Sequence, residues 1–307
     1  VPRLSGPAVA GHALDHGLNF LSHSPSAAEP PVTAAAAQGV QAAHAQAGVS
    51  AAQGAEAAAW PMAAPKPYSP FHLLLTAAGL AAALLSAIAL GKSFRKKPRK
   101  ELEKSSRRLL FACGLVLMFM EAYKQCFLFY LNGFHYNWWY FPFQLCSVPM
   151  YLCLSFPLIK KAERRTVLAS FLQDFGVLGA VFALAYPPGL MYPYWTLTLH
   201  SFIWHFLLFF IGTFCAVSGL SDRSSSGWRK ELPLFFACCA AALAINTAAG
   251  PEANADMFYI SPYHPSVQPV FRQIAEALGI FPGILIYLAA VLGGSRLTHK
   301  IWEQFKF

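Results

Sequence analysis

Charged residues are scarce in this chain: Asp, Glu, Lys and Arg together make up 12% of its 307 residues. That share is about half the share in an average soluble protein. The scarcity argues against a soluble globular enzyme and a disordered regulator. Hydrophobic residues reach 56% and aromatic residues 15%. The composition therefore predicts an all-α fold, a polytopic bundle of membrane helices.

The sequence also lacks a disulfide framework and any cysteine spacing typical of metal or redox sites. It has seven cysteines, an odd number, and each lies within an apolar run. No CxxC pair occurs, so we expect no metal and no cofactor. An internal repeat is absent as well, which argues against the common folds of secondary transporters.

Residues 1–68 differ from the rest of the chain. They are rich in Ala, Gly, Gln, Ser and Pro and show no aliphatic periodicity. We expect a disordered leader followed by a membrane domain over residues 69–307. Because the chain begins at Val1 rather than Met, we take Met62 as a candidate start site; the alternative is a genuine disordered tail.

Seven apolar runs approach the ~20 residues that span a bilayer. They cover residues 71–91, 109–131, 138–159, 166–186, 194–217, 232–250 and 279–295. Of the 23 basic residues, 19 lie in alternate connections or the C-terminal tail, and one lies in the opposite connections. This asymmetry predicts a cytoplasmic C-terminus and an outer N-terminus. We therefore expect a multi-pass protein of the inner or plasma membrane, with lipids and not nucleic acid as partners.

Polar side chains within these runs are costly and mark functional or structural sites. In the second run, Glu121, Lys124 and Gln125 lie at i, i+3 and i+4, on one helix face. The spacing allows a self-neutralising pair that locks the bundle, or a catalytic site; we favour the locking pair.

The fifth run carries Thr198, Ser201 and His205 at i, i+3 and i+7, which predicts one continuous polar stripe. His200 lies about 140° around the helix from His205. Because a hydroxyl group is one turn away from it, His205 is the better functional candidate of the two histidines.

The third run contains Pro149, which has no N–H and predicts a kink beside Cys146. In a regular helix Gln144 and Cys146 face nearly opposite sides, so only a distorted helix brings both to one site. Ser147 lies between Cys146 and the predicted kink.

Counting from the outer ends of the spans places Cys146, His205, Glu121 and Asn246 in the outer half of the bilayer. Asp174 lies nearer the midplane. We expect a polar cavity that opens to the outer side. The last outer connection, rich in Pro and aromatic residues, is either a cap over this cavity or a simple interfacial loop.

Five stretches of the sequence resemble the YwaF-like family of bacterial integral membrane proteins, and the resemblance covers about 105–295. They are EAYKQ (121–125), YFPFQLCSVPMYL (140–152), SFIWHFLLFFIG (201–212), and AINTAAGP followed by DMFYISPYHPSVQPVF (256–271). The family is distantly similar to animal multispan acyltransferases that move fatty acyl chains between glycerophospholipids. The resemblance implies a Cys nucleophile and a His base, which match Cys146 and His205. Related animal ester hydrolases use Thr with His, and the Cys here is closer to the acyltransferases.

The resemblance thus implies an acyltransferase or a lipase-like enzyme, in which Gln144, Asn246 or Ser147 donates to the oxyanion. Two other interpretations stay open at this point. The same polar layer is compatible with a transporter or binding protein for a lipid or small solute, and with a structural protein whose polar groups fasten helices.

Overall fold

The computed structural model describes residues 62–305, and every regular element in that range is helical. In chain order the helices are α1 (Pro70–Arg95), α2 (Arg99–Leu131), α3 (Val148–Ser155), α4 (Ala162–Phe171), α5 (Val177–Ala185), α6 (Trp195–Ser218), α7 (Gly227–Ala249), α8 (Phe271–Leu278) and α9 (Ile280–Gln304). Six apolar helices in this range are long enough to cross a membrane: α1, α2, the continuous helix Ala162–Ala185, α6, α7 and α9. The protein is therefore a multi-pass membrane protein.

Residues 1–61 of the predicted leader lie outside the described residues. The remaining part of that leader touches the membrane domain. The Met62 amide donates to the carbonyl of Pro193 at 2.8 Å, and the Tyr68 hydroxyl donates to the carbonyl of Ala185 at 3.2 Å. Residues 62–68 thus lie against the loop that precedes α6.

The third predicted span does not form a continuous helix, so seven transmembrane helices are not confirmed. Residues 138–159 form a short 3-10 turn (Trp138–Tyr140), an irregular stretch, α3 and a second 3-10 turn (Phe156–Leu158). Pro149 does not kink a helix but lies in the first turn of α3. A proline is favoured there because the first amides of a helix have no intrahelical acceptor.

The irregular stretch ahead of α3 is held by neighbouring side chains. The Tyr151 hydroxyl donates to the carbonyl of Pro142 at 2.8 Å, and the Gln125 amide donates to the carbonyl of Tyr140. Non-helical backbone within a membrane protein is tolerated where protein groups satisfy it. A close approach anchors α3 as well, since a Cβ on Gly114 of α2 would lie 2.8 Å from the amide nitrogen of Leu154.

Helix α6 is the centre of the bundle: 72% of its most apolar 18-residue window is buried, against 6% for α1. The exposed apolar side chains of α1 and α9 have the composition of lipid-facing surfaces. Stacked rings extend the core between α4 and α7. The ring centroid of Phe175 lies 4.7 Å from the ring centroids of both Phe171 and Phe235. The helix that packs deepest therefore also carries the predicted polar stripe.

A π-helical turn, Leu172–Gly176, joins α4 to α5. Such turns insert one extra residue into a helix and occur frequently at functional sites. Helix α6 approaches this turn through Gly212, where an added Cβ would lie 2.5 Å from the carbonyl oxygen of Leu172.

We expect Gly212→Ala to lower the stability of the purified protein. The new methyl group would clash with the backbone of the π-turn, and overpacking of this kind costs about 1–3 kcal/mol. Thermal unfolding in detergent measures the loss. Gly293→Ala in α9 is the matched control, because a Cβ there meets no atom within 4 Å. Equal midpoints for the two variants would contradict the close packing at Gly212.

The orientation predicted from the basic residues is tested by thiol labelling. Lys100 and Glu252 are both exposed and lie in the basic segment 92–108 and in the outer connection after α7. After replacement of the exposed Cys126 by Ser, Glu252→Cys should react with an impermeant thiol reagent in intact cells, and Lys100→Cys should react only after lysis. The reverse pattern would overturn the orientation.

Candidate functional site

The three polar residues predicted to share one face of α2 are in contact. The Lys124 Nζ lies 2.8 Å from Glu121 Oε2, and the Gln125 amide donates to Glu121 Oε1 at 2.6 Å. Glu121 is buried, with a side chain only 6% exposed. The pair forms as the locking interpretation expects.

Cys146 lies in the irregular backbone just before α3 and is half-buried. Its carbonyl accepts a hydrogen bond of 3.1 Å from the indole Nε1 of Trp204 on α6. Ser147, the residue that precedes the first turn of α3, is buried, and its side chain makes no capping hydrogen bond. The predicted nucleophile is thus tied to the helix that carries the predicted base.

His205 follows Trp204 directly and is buried. Its Nδ1 lies 2.6 Å from the carbonyl of Ser201. Since a carbonyl only accepts, Nδ1 carries the proton and Nε2 presents a lone pair. Nε2 has no hydrogen-bond partner within residues 62–305, so it is available as a base.

Thr198 of the predicted stripe and His200, which lies off the stripe, both have structural partners. The Thr198 hydroxyl bonds to the amide and the carbonyl of Tyr192, at 2.9 and 3.0 Å, and fixes the loop before α6. His200 Nε2 donates to the carbonyl of Met120 at 3.0 Å and joins α6 to α2. These hydrogen bonds connect the side chains of Thr198 and His200 to backbone groups and not to Cys146.

The sulfur of Cys146 and the imidazole of His205 are not hydrogen-bonded to each other in the described part of the chain. Lys124 links them indirectly, because its ammonium interacts electrostatically with both groups. That Cys146, His205 and the Glu121–Lys124 pair share one polar layer stays a prediction.

A buried loop, Ala255–Ser261, follows α7; we call it the outer cap after the side of the membrane predicted for it. Except for the half-buried Tyr259, its residues are nearly inaccessible. Gln144 brackets it by donating to the carbonyl of Asp256 at 2.8 Å and accepting from the amide of Phe258 at 2.9 Å. Asn246 makes the same kind of paired contact with Met257, at 3.1 and 2.7 Å. Both amides therefore hold the cap, and the expectation that they line a cavity or donate to an oxyanion stays a prediction.

Asp256 in the outer cap is 3% exposed. Burial raises the pKa of this carboxyl to about 7, and the hydrogen bond from the Ser261 amide opposes the rise. At neutral pH the group is thus partly protonated, which lowers the cost of keeping it buried.

Asp174, which the sequence places nearer the midplane, belongs to a separate cluster. Its Oδ2 is 2.6 Å from His299 Nδ1 on α9, and Glu231 of α7 completes a buried cluster. The cluster lies at the end of the bundle that carries the basic connections, since His299 Nε2 contacts the carbonyl of Ser224 in the segment between α6 and α7. Sequence reasoning missed Glu231 and His299, although ionisable residues at the ends of apolar runs were a signal for them.

Two cavities lie at the end of the bundle with the basic connections, away from Cys146. One has a volume of about 10 Å³ and includes Glu103 and Arg165 in its lining; the other, of about 340 Å³, is lined by Lys100, Glu103, Lys104, Arg107 and Arg108.

The model of the TMEM164 family matches residues 67–294, which is almost the whole membrane domain. The match is to a multispan membrane family, as the sequence resemblance implied, under a different name from the YwaF-like one. No curated protein and no solved structure matches the chain.

Proposed function

The chain belongs to the TMEM164 family, and on that premise we propose that it is a membrane-embedded acyltransferase. In this proposal Cys146 takes a fatty acyl chain from a glycerophospholipid ester and passes it to a lysolipid or to water. His205 acts as the general base and acid.

The observation that carries the proposal is the contact between Trp204 and the backbone of Cys146. It brings the irregular stretch before α3 against the turn of α6 that bears His205. The Ser201 carbonyl holds the imidazole in the tautomer that leaves Nε2 unprotonated. A nucleophile, a base and a group that orients the base are the parts that covalent acyl transfer needs.

The reaction proceeds in two balanced steps. His205 Nε2 removes the thiol proton, the Cys146 sulfur attacks the ester carbonyl, and a C–S bond forms as the ester C–O bond breaks. The leaving lysolipid oxygen takes the proton from His205. The acceptor hydroxyl then gives its proton to Nε2 and its oxygen attacks the thioester carbonyl. A new ester C–O bond forms as the C–S bond breaks, and the Cys146 sulfur takes the proton from Nε2, which regenerates the thiol.

The oxyanion of each tetrahedral intermediate needs a donor, and Gln144 and Asn246 are occupied by the cap. The Ser147 hydroxyl lies beside Cys146 and interacts with it. We assign Ser147 to this task, with the Lys124 ammonium adding favourable charge in the same layer.

Catalysis requires Cys146 and His205 to come within hydrogen-bond reach, directly or through one water molecule. Catalytic contacts in unliganded sites are often loose and tighten when substrate binds. The irregular backbone before α3 is the segment best suited to this shift, because it is not locked by a helical hydrogen-bond ladder.

A second candidate function is supported by the broken segment itself. Interrupted helices beside a polar layer are typical of transporters, where they hold the solute. In that case Cys146 would be a binding or packing residue, and its thiol would be dispensable.

Thiol labelling separates the two functions. An alkyne-tagged α-bromo fatty acid should alkylate Cys146 in native membranes, and His205→Ala should reduce the labelling strongly while leaving the protein folded. Cys153 is the matched control because it is fully buried in the same segment; Cys153→Ala should label like the wild type. Equal labelling of Cys146 in the wild type and in His205→Ala would contradict the proposed acyltransferase.

A further inference from the structure

We propose that Asp174, Glu231 and His299 together bind one divalent first-row metal ion, with Zn²⁺ the best fit. The ion would join the π-turn, α7 and α9 at the end of the bundle opposite the outer cap. This inference is independent of the Cys146 chemistry, and it departs from the sequence-based expectation of no metal.

The three side chains form a compact, dry cluster. Each offers one ligand atom, these atoms lie within 4.8 Å of one another, and all three residues are 0% exposed. Tetrahedral Zn²⁺ with bonds of about 2.0–2.2 Å has ligand atoms about 3.3 Å apart. Side-chain rotations that move the ligand atoms by about an ångström would therefore bring them to the distances of a zinc site.

His299 is oriented as a metal ligand. Its Nε2 lies 2.9 Å from the carbonyl of Ser224, and because a carbonyl only accepts, Nε2 carries the proton. Nδ1 lies 2.6 Å from Asp174 Oδ2, which also accepts, so without a metal Nδ1 carries a second proton and donates it to that oxygen. A bound metal ion would replace this proton. Metal-bound histidines usually donate their other N–H to a carbonyl or a carboxylate in this way. Two acceptor atoms at this distance need a proton or a cation between them.

Glu231 supplies the second, independent indication of a ligand. Both of its carboxylate oxygens are inaccessible, and neither makes a hydrogen bond of adequate geometry within residues 62–305. A buried carboxylate beside a second one, Asp174, is strongly destabilising unless it is neutralised. A single divalent cation would balance both charges and leave a neutral cluster inside the apolar bundle.

An outer shell positions the Asp174 carboxylate. The Gln173 amide donates to Asp174 Oδ1 at 2.7 Å, and the Ser221 hydroxyl donates to Gln173 Oε1 at 2.6 Å. These bonds leave Oδ2 directed at the cluster. The π-turn that carries both Gln173 and Asp174 thus has a function: it presents one carboxylate and its support from adjacent residues.

The chemistry of the three ligands selects the class of metal. One imidazole and two carboxylates suit Zn²⁺, Mn²⁺ or Fe²⁺, whereas Ca²⁺ and Mg²⁺ prefer ligand sets of oxygen alone. The rival explanation needs no metal: a protonated His299 pairs with Asp174 and a further proton sits on Glu231, which leaves the cluster neutral.

Metal binding to the full chain tests the proposal directly. The protein is purified through a tag that contains no histidine, reconstituted in nanodiscs, stripped with a chelator and titrated with Zn²⁺. We expect about one Zn²⁺ per chain by elemental mass spectrometry. Glu231→Gln should weaken Zn²⁺ binding at least about 10-fold. Changes to residues that only support a metal ligand already lower metal affinity by about 10–100-fold. The exposed Glu252→Gln is the matched control and should bind like the wild type.

Two further measurements keep the proposal testable if Glu231→Gln does not fold. Co²⁺ bound to the wild type should show the intense visible bands of a tetrahedral site, and Zn²⁺ should raise the unfolding midpoint of the wild type. Only weak octahedral bands, or an unchanged midpoint, would overturn the proposal. So would Zn²⁺ binding that is equal in the wild type and Glu231→Gln. Two results together would establish the protonated, metal-free cluster instead: Zn²⁺ does not bind to the wild type, and Glu231→Gln unfolds at a higher temperature than the wild type.

Discussion

Glu121→Gln and Lys124→Met are each expected to destabilise the protein by about 3–5 kcal/mol, because each leaves an uncompensated charge in a buried site. The ion pair joins Glu121 Oε2 to Lys124 Nζ at 2.8 Å, and the two side chains are 6% and 19% exposed. The double change removes both charges at once and should recover much of the loss. Folded yield and the thermal midpoint of the three variants in detergent measure the effect.

The exposed ion pair of α8 is the matched control for this prediction. Arg272 Nε lies 2.8 Å from Glu276 Oε1, but the side chains are 37% and 50% exposed. Glu276→Gln should therefore cost no more than about 1 kcal/mol. If the double change in α2 is the least stable of its three variants, Glu121 and Lys124 are not a coupled pair.

The second large effect is expected on acyl transfer. Cys146→Ala should abolish transfer from a labelled phospholipid to a lysolipid in nanodiscs, because the carbon–sulfur intermediate cannot form. His205→Ala should lower the rate about 10²–10⁴-fold, the range that general acid–base groups contribute. Chromatographic separation of the labelled lipids measures both.

Two replacements control for effects on the fold. His135 is exposed in the loop after α2, and Cys153 is buried in α3 away from the proposed chemistry. His135→Ala and Cys153→Ala should keep transfer close to the wild-type rate. Transfer that persists in Cys146→Ala would remove the thiol from the mechanism.

The long helices could be predicted closely from the sequence because apolar length alone defines them. The run at 194–217 became α6, Trp195–Ser218, and the run at 71–91 became α1, Pro70–Arg95. The prediction of a helix over 138–159 was wrong, because hydropathy indicates a preference for an apolar environment and not the backbone conformation. Pro149 was read as a kink within a helix, whereas it begins one.

The candidate site was predictable only where its parts are close in the sequence. Glu121, Lys124 and Gln125 occupy consecutive turns of one helix, so their contact follows from helical spacing. The contacts of Gln144 and Asn246 could not be predicted, because neither residue indicates that the outer cap folds back onto it. Glu231 and His299 meet Asp174 through the packing of three separate helices, which spacing does not determine.

The central claim, that Cys146 carries the acyl chain, is tested most directly by trapping the acyl-enzyme. Protein in nanodiscs is mixed with labelled phospholipid in the absence of lysolipid, quenched in acid, digested and analysed by mass spectrometry. The account predicts one acyl group on the peptide that contains Cys146, removable by neutral hydroxylamine as a thioester and lost in His205→Ala. Transfer activity in the same preparation with no acyl group on Cys146 would contradict it.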